Sequence, residues 1–597
     1  MNYPFHAKAY TFCVCLLLFA NIACNTSKKE ENVNPIDPTL QIEDFYKAHL
    51  KNSFSFLDSI NHTESKKEKQ EFFKKARKYF KLAEPILSYS DKENYKSLNS
   101  PNLLRIQEED ATDIKIRQPL GFQVIEENLY SEKIDTRLLE LKVNQTNGRL
   151  KLIYNNTQLR LKNHHILWIL KDAIVRIATT GLSNFDSPVL GQSLQESSFA
   201  YTNISEILKA CKNNFQNEKL YSDWLQEIEN CKKDLVADFN EFDRFAFLQK
   251  HTHTQLNLLN QTVEDWKVEF PFEMALSNNF SSLFSKKMFN INYFSDHNSD
   301  TLFLSKKIKL GKQLFHDKNL SANKNMSCAT CHVKEKGFAD GKKVFNKNQI
   351  RNTPTIAYAG LQKSFFHDSR AGSLEGQIIG VITNHNEFDS DLNLLVSNVS
   401  INKNYKTAFD NLYAKKVTDE NIRHAIASYV RTLNKFNSKF DNNINQKEAT
   451  LTKEEKKGFN LFMGKAACAT CHFPPLFNGT VPPNFSESEL ELIGTPKTNN
   501  FKNPIIDTDL GRYNVFQTEE KKHFFKTPTL RNISKTAPYM HNGVYNTLEE
   551  VLKFYNKGGG NGLGMNLTHQ TLPSEPLNLS EKEIQAIIAF LKTLNDN

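Results

Sequence analysis

The chain has 597 residues, of which 39% are hydrophobic and 24% charged, and its net charge is +9. That length exceeds what one hydrophobic core supports, so two to four domains are expected. The charge is spread over stretches such as Ser65-Lys-Lys-Glu-Lys-Gln-Glu71, where lysines alternate with acids along a helix face, which excludes a nucleic-acid stripe.

The chain opens with a targeting pattern. Lys8 precedes a short apolar run, Cys13 to Ala20, that ends at Ile22-Ala23-Cys24. The run is too short to span a bilayer and fits a secretory signal, and nothing after it is apolar enough to span one. A Cys after a small residue resembles a bacterial lipoprotein signal, which implies cleavage after residue 23 and a lipid anchor on Cys24. Asn21 stands where such signals carry Leu, so ordinary cleavage nearby is the alternative. Residues 25–40 are polar and read as a tether. Within them Lys29-Glu30-Glu31 resembles a surface-export tag, so the expected location is the periplasm or the cell surface.

From 41 to 272 the apolar residues recur at helical spacing. Phe72, Phe73, Ala76, Tyr79, Phe80, Leu82 and Ala83 form one stripe, and Ile166 to Val175 reads as a buried helix. An all-α bundle is predicted. Pro119-Leu-Gly121-Phe-Gln123-Val-Ile-Glu126 resembles the Gly-x-His-x-x-Glu element of imelysin-like bundles, with Gln123 in place of the His, and a scaffold or docking role is expected. Cys211 and Cys231 fall on two helices joined by a turn near Asn213, where they either pair or stay as buried thiols. Residues 273–300, rich in Asn, Ser and Phe, read as a linker.

Two pentapeptides follow, Cys328-Ala329-Thr330-Cys331-His332 and Cys468-Ala469-Thr470-Cys471-His472. C-x-x-C-H is the attachment sequence of c-type haem: the thiols add to the vinyl groups and the His becomes the proximal iron ligand. Two copies behind an export signal predict two covalent haems. With the signal cysteines they leave only Cys211 and Cys231 of the nine. Thr452-x-x-Glu455 and Ser580-x-x-Glu583 are capping boxes, the second opening a final helix with Ile584, Ile587, Ile588, Leu591 and Leu594 on its apolar face.

From about 305 to the end, the chain resembles the di-haem cytochrome c peroxidase/MauG family. The blocks that carry the resemblance are Leu310-Gly-Lys-Gln-Leu-Phe-His316, Arg351-Asn352-Thr-Pro-Thr355, Phe366-His367-Asp368-Ser369-Arg370, Leu374-Glu-Gly-Gln377, Asn384-His-Asn-Glu387-Phe388, Thr527-Pro-Thr-Leu-Arg-Asn532 and Thr536-Ala-Pro-Tyr-Met-His-Asn-Gly543. The resemblance implies an all-α fold in which the helical bundle is followed by two cytochrome c-like haem domains, 301–445 and 446–597. The haem on His332 would be peroxidatic and that on His472 the electron relay. Glu387 and Gln377 would be the distal pair that handles the peroxide protons. Asn352 with the carbonyls of Thr536 and Pro538 would hold Ca²⁺ between the domains. A homodimer and a small redox donor, a cytochrome c or a cupredoxin, also come with the family.

Three departures from the family bear on function. No His lies between His332 and Arg351, where peroxidases that need reductive activation carry a blocking ligand. His367 stands where an inter-haem Trp is usual. Counted from Thr536, the sixth ligand of the relay haem falls on Tyr555, the MauG arrangement, with Met540 as its rival; Ala466 replaces the aromatic that MauG has before its second motif. Three readings follow: an exported peroxidase that reduces H₂O₂ to water, a MauG-like oxidase of a partner protein, or a non-enzymatic electron-transfer or iron-acquisition lipoprotein. The distal pair argues against the last, since a pure relay has no use for an acid/base group.

Overall fold

The computed structural model describes residues 37–597 except 109, 111, 298–300 and 415. The signal, Cys24 and all but the last few residues of the tether lie outside the described residues. The fold is mostly helical. Among the described residues no helix is long and apolar enough to cross a membrane.

In the N-terminal part, α1 (Pro38–Ile60) packs along α2 (Lys66–Ser90), and the predicted stripe of α2 faces inward, with Phe73, Ala76, Phe80 and Ala83 buried. Ser65 caps α2 through its hydroxyl, and Pro85 is accommodated near its C-terminal end. A short antiparallel hairpin, β1 (Arg105–Glu108) and β2 (Ile114–Arg117), departs from the all-helical expectation for this region. After it come α3 (Phe122–Tyr130), α4 (Thr136–Asn156), α5 (Asn163–Arg176), α6 (Ser193–Ala210), α7 (Glu218–Asp234) and α8 (His253–Asp265). Cys211 and Cys231 are buried free thiols, which settles the alternative left open by the sequence.

Charges lie inside this bundle. Arg77 binds Glu196 at 2.6 and 2.9 Å, Lys81 reaches Glu84 and Asp186 at 2.7 and 2.8 Å, and Arg176 reaches Glu84 and Asp186 at 3.0 and 2.7 Å. Three cations and three carboxylates therefore balance. Glu126, buried on α3 beside them, is an additional acid; its Oε1 accepts from Ser187 Oγ and the Leu190 N–H. Burial pushes it up to about 7, the attraction of Arg77 being opposed by Glu196. Gln123 donates to the carbonyls of Asn99 and Phe185, so both residues of the imelysin-like element are occupied in holding this core together. A carboxyl whose folded pKa is raised stabilises the fold below its unfolded value and loses that contribution as pH rises through the folded value. Glu126→Gln is therefore expected to raise the unfolding midpoint of the N-terminal part at pH 8, by on the order of 2 kcal/mol in stability, and to change little at pH 4.5. Thermal melts of the two proteins at both pH values check this.

The C-terminal half repeats one construction. α9 (Leu304–His316) crosses α11 (Asp419–Val430) so closely that a Cβ on Gly311 would lie 1.8 Å from the Ala425 carbonyl oxygen; α10 (Leu374–Ile382) packs beside them. Likewise α12 (Lys453–Met463) crosses α14 (Glu581–Lys592), and a Cβ on Gly458 would meet the Ala586 carbonyl oxygen at 1.9 Å. Both predicted capping boxes form: Thr452 with Glu455 opens α12, and Ser580 with Glu583 opens α14. Gly458→Ala forces backbone apart at this crossing and is expected to destabilise the second unit by about 1–3 kcal/mol, the scale of overpacking. The thermal transition followed at the haem absorbance would report it.

Two cores result. Leu310, Leu314, Ile378, Leu395, Ile422 and Ile426 form the first haem unit's own core. The second unit shares a continuous core with the N-terminal bundle, through Phe245, Phe459 and Phe590, and Phe440, near the end of the 301–445 span, joins it; these rings lie 4.9–6.3 Å apart. Phe280, Phe284 and Phe289 of the 273–300 segment are buried there as well. At the rim, Glu108 of the hairpin accepts from Arg512 at 2.8 Å and Thr518 at 2.9 Å.

Candidate functional site

The first motif forms a single helical turn, Cys328–Cys331, capped by Ser327, and the chain leaves it at His332. The next residues double back: Val333 and Ala339 form a bridge, and Gly337 takes a left-handed conformation (φ +63°) in the turn. The turn brings the Phe338 carbonyl 3.0 Å from His332 Nδ1. A carbonyl only accepts, so Nδ1 carries the proton and Nε2 keeps its lone pair. Burial also pushes the imidazole below its usual value. A neutral histidine anchored through one nitrogen, beside two unpaired thiols, is the donor set that c-type haem requires.

Glu387 sits on the loop after α10, half-buried. Its backbone N–H donates to the Asn384 carbonyl, and Asn384 Nδ2 donates back to its Oε1 at 2.9 Å. Burial raises its pKa, against the pull of Arg370. Its charge adds to burial in pushing Cys328 and Cys331 up to about 12, so the carboxylate acts electrostatically on the first motif. Arg370 stacks on Phe366, 3.4 Å from the ring centroid, and Asp368 holds it at 2.9 Å. Phe366 in turn packs on α10 at Gly380, where a Cβ would lie 3.0 Å from its ring. Gln377 is one turn earlier on that helix, and among the described residues its side chain hydrogen-bonds no protein group. Arg370 is the member of this pocket to which sequence reasoning gave no role.

The second motif is a 3₁₀ turn, Cys468–Thr470, entered through a left-handed Ala467. His472 Nδ1 lies 3.1 Å from the Pro528 carbonyl and 3.3 Å from that of Phe477, so the same tautomer is fixed. Burial takes His472 down to about 4. Tyr555, on α13 (Leu548–Asn556), is felt by this motif: after burial, the Cys471 and Cys468 positions are the next causes that raise its phenol well above the usual value. Its hydroxyl has no hydrogen-bond partner among the described residues. Met540 lies in a left-handed turn (φ 69°), half-buried against the second core, and no interaction among the described residues ties it to the motif.

Sequence reasoning missed two acids here. Glu489 and Glu491 alternate along the segment that ends in β3 (Leu490–Glu491), paired with β4 (Phe525–Lys526). Burial raises both, Glu491 to about 7, and Glu491 acts on Cys471. The alternating acids from Glu487 to Glu491 were the available signal.

Between the two motifs, Arg351 bridges Asp368 at 2.6 Å and Asp509 at 2.5 and 2.9 Å. The Asn352 N–H donates to the His541 carbonyl, and its Nδ2 to the Pro538 carbonyl at 2.7 Å. Asn352 and Pro538 are thus brought together across the two units, with Thr536 in the turn leading to Pro538. His367 Nε2 donates to the Asn352 carbonyl at 3.1 Å, and the His367 carbonyl accepts from the Lys526 N–H. Burial, then the nearby charges of Arg351 and His541, take this imidazole down to about 3, so it is neutral and occupied at the junction.

About half of this chain is similar to known proteins. The family model for di-haem cytochrome c peroxidase matches residues 305–449. The cytochrome-c peroxidase IdrP2 of Pseudomonas sp. (strain SCT) is 32% identical over 314 residues, covering 48% of this chain and 81% of the relative. The methylamine utilization protein MauG of Methylorubrum extorquens is 31% identical over 294 residues, covering 48% of this chain and 78% of the relative. Among solved structures, a MauG-like protein associated with microbial copper homeostasis is 27% identical, with a TM-score of 0.44, over 50% of this chain and 91% of that one.

Proposed function

The chain belongs to the di-haem cytochrome c peroxidase family, and from that membership we propose that it is an exported peroxidase that reduces hydrogen peroxide to water. Cys328, Cys331 and His332 would hold one haem c, and Cys468, Cys471 and His472 the other. When bound, the first haem supplies an iron that peroxide can reach, and the second takes electrons from a small cytochrome c or cupredoxin.

The observation that carries this reading is Glu387. A carboxylate lifted by burial that acts electrostatically on the first motif could take the proton from one peroxide oxygen and return it to the other as the bond breaks. Arg370 supplies a fixed positive charge beside it, held flat by Phe366 and Asp368 so that it need not reorganise as negative charge develops. Gln377, unpaired on α10, is free to donate to peroxide and orient it. At the second motif, Tyr555 would be the sixth ligand, with Met540 as its rival; the Tyr555 phenol is within electrostatic reach of Cys468 and Cys471.

Tyr555 also favours a second reading, a MauG-like oxidase that uses peroxide to modify a partner protein. Family membership further carries a homodimer and a Ca²⁺ at Asn352, Thr536 and Pro538. Oxygen ligation would need the Asn352 amide turned so that Oδ1 replaces Nδ2 toward the Pro538 carbonyl. The N-terminal bundle acts as a scaffold docked on the relay unit, and an anchor on Cys24 would tether the whole to a membrane.

Steady-state consumption of H₂O₂ with reduced cytochrome c as donor tests the leading reading. Stoichiometric oxidation of two cytochromes per peroxide supports it. Peroxide consumption that requires a protein substrate instead selects the second reading, and no consumption with either removes both.

A further inference from the structure

The N-terminal bundle holds a cluster that the peroxidase reading leaves unused. Glu227 and Cys231 lie one turn apart on α7, and His251 faces them from a π-helical turn, Leu248–Thr252. One donor atom from each lies within 4.8 Å of the others, and all three residues are buried. His251 Nδ1 is 2.7 Å from Glu227 Oε1, and Cys231 Sγ is 3.3 Å from the same oxygen. π-turns are uncommon and concentrate at functional sites, because the extra residue redirects one side chain. Here the redirected side chain is His251.

We propose that Glu227, Cys231 and His251 bind a divalent cation of the zinc class.

Several features fit a metal better than an ion pair alone. The donors are one thiol, one imidazole and one carboxylate, the mixed set that zinc accepts and that calcium or magnesium does not. The other imidazole nitrogen, Nε2, donates to Asp234 Oδ2 at 2.7 Å, the carboxylate–histidine arrangement that orients a ligating ring. The sulfur is served by a donor of its own: Gln255 Nε2 lies 2.9 Å from Sγ, and Tyr201 is tied to Gln255 at 3.0–3.1 Å. Burial and the Glu227 carboxylate hold the free thiol up, and the Gln255 bond works in the other direction, toward the thiolate that a cation would need.

The proton balance is even. Without metal, His251 bonds to two carboxylates through both nitrogens, and Cys231 stays a thiol. A cation entering would expel two protons, one from Sγ and one from Nδ1, while the Nε2 proton stays on the bond to Asp234. Two protons leave for one divalent charge, so the net charge of the buried cluster does not change. Tetrahedral bonds of about 2.0–2.3 Å set donor separations a little above 3 Å, which the His251–Glu227 pair would reach by opening slightly. The clamp would fix α7 to the segment that packs on the relay unit through Phe245 against Phe459, and that reaches the Asn443 carbonyl through Gln249 Nε2.

The test uses the full-length di-haem protein, stripped with EDTA, reloaded with zinc chloride and desalted, with zinc measured by mass spectrometry. Wild type and Cys211→Ser are expected to keep one zinc per chain. Cys231→Ser and His251→Gln are expected to fall about tenfold or more, with haem absorbance and far-ultraviolet circular dichroism unchanged. Zinc-edge X-ray absorption of the wild type needs no variant and should show one sulfur at about 2.3 Å. No retained zinc in the wild type, equal retention in the two variants, or a first shell without sulfur overturns the proposal.

Discussion

Glu387→Gln is expected to lower peroxide turnover by roughly 10² while leaving both haem spectra nearly intact, the scale of a lost general acid/base group. The side chain changes by one atom, and Asn384 Nδ2 can still donate to the remaining oxygen, so the loop should keep its place. The pH dependence gives a sharper signature. Glu387 must be ionised to accept the first proton, so turnover falls on the acid side of its pKa. Burial holds that pKa above the ordinary glutamate value, and Arg370 draws it back. Arg370→Leu should therefore move the acid limb to higher pH, and Glu387→Gln should abolish it. A rate unchanged in Glu387→Gln would place the proton chemistry on another residue.

The parts of this protein legible in its sequence were those written in short spans. The two Cys-x-x-Cys-His motifs, the capping boxes at Thr452 and Ser580, and the apolar face of the last helix each fit within a dozen residues; the structure forms the boxes and the apolar face as read, and each motif folds as one short helical turn. What escaped depends on partners far apart in the chain. Arg77 and Lys81 lie on the buried side of α2, yet a stripe of aromatics cannot show that Asp186 and Glu196, more than a hundred residues on, will neutralise them. Glu489 and Glu491 gave the same difficulty, because alternating acids on a short strand also describe a solvated edge. The pocket of Glu387 was legible only through family resemblance. Arg370 acquires a place in it only from the stack on Phe366 and the hold of Asp368.

The oxidised protein as isolated should show one high-spin and one low-spin haem by electron paramagnetic resonance, and should react with H₂O₂ without prior reduction. Reductive activation requires a loop ligand over the peroxidatic iron, and the loop after His332 has no histidine to offer. Its five lysines, Lys334, Lys336, Lys342, Lys343 and Lys347, are all exposed. Lys336 is further committed, its Nζ donating to the Asp340 carbonyl at 2.7 Å. The remaining candidate is His367, and its ring already donates from Nε2 to the Asn352 carbonyl while its backbone carbonyl accepts from Lys526. Leaving that junction would break the ring's bond to the Asn352 carbonyl. His367→Ala should therefore leave the high-spin signal and the direct reaction with peroxide in place, and should instead slow transfer between the haems. Two low-spin haems at rest in the wild type, with a high-spin signal appearing in His367→Ala, would show that the ring does leave the junction for the iron.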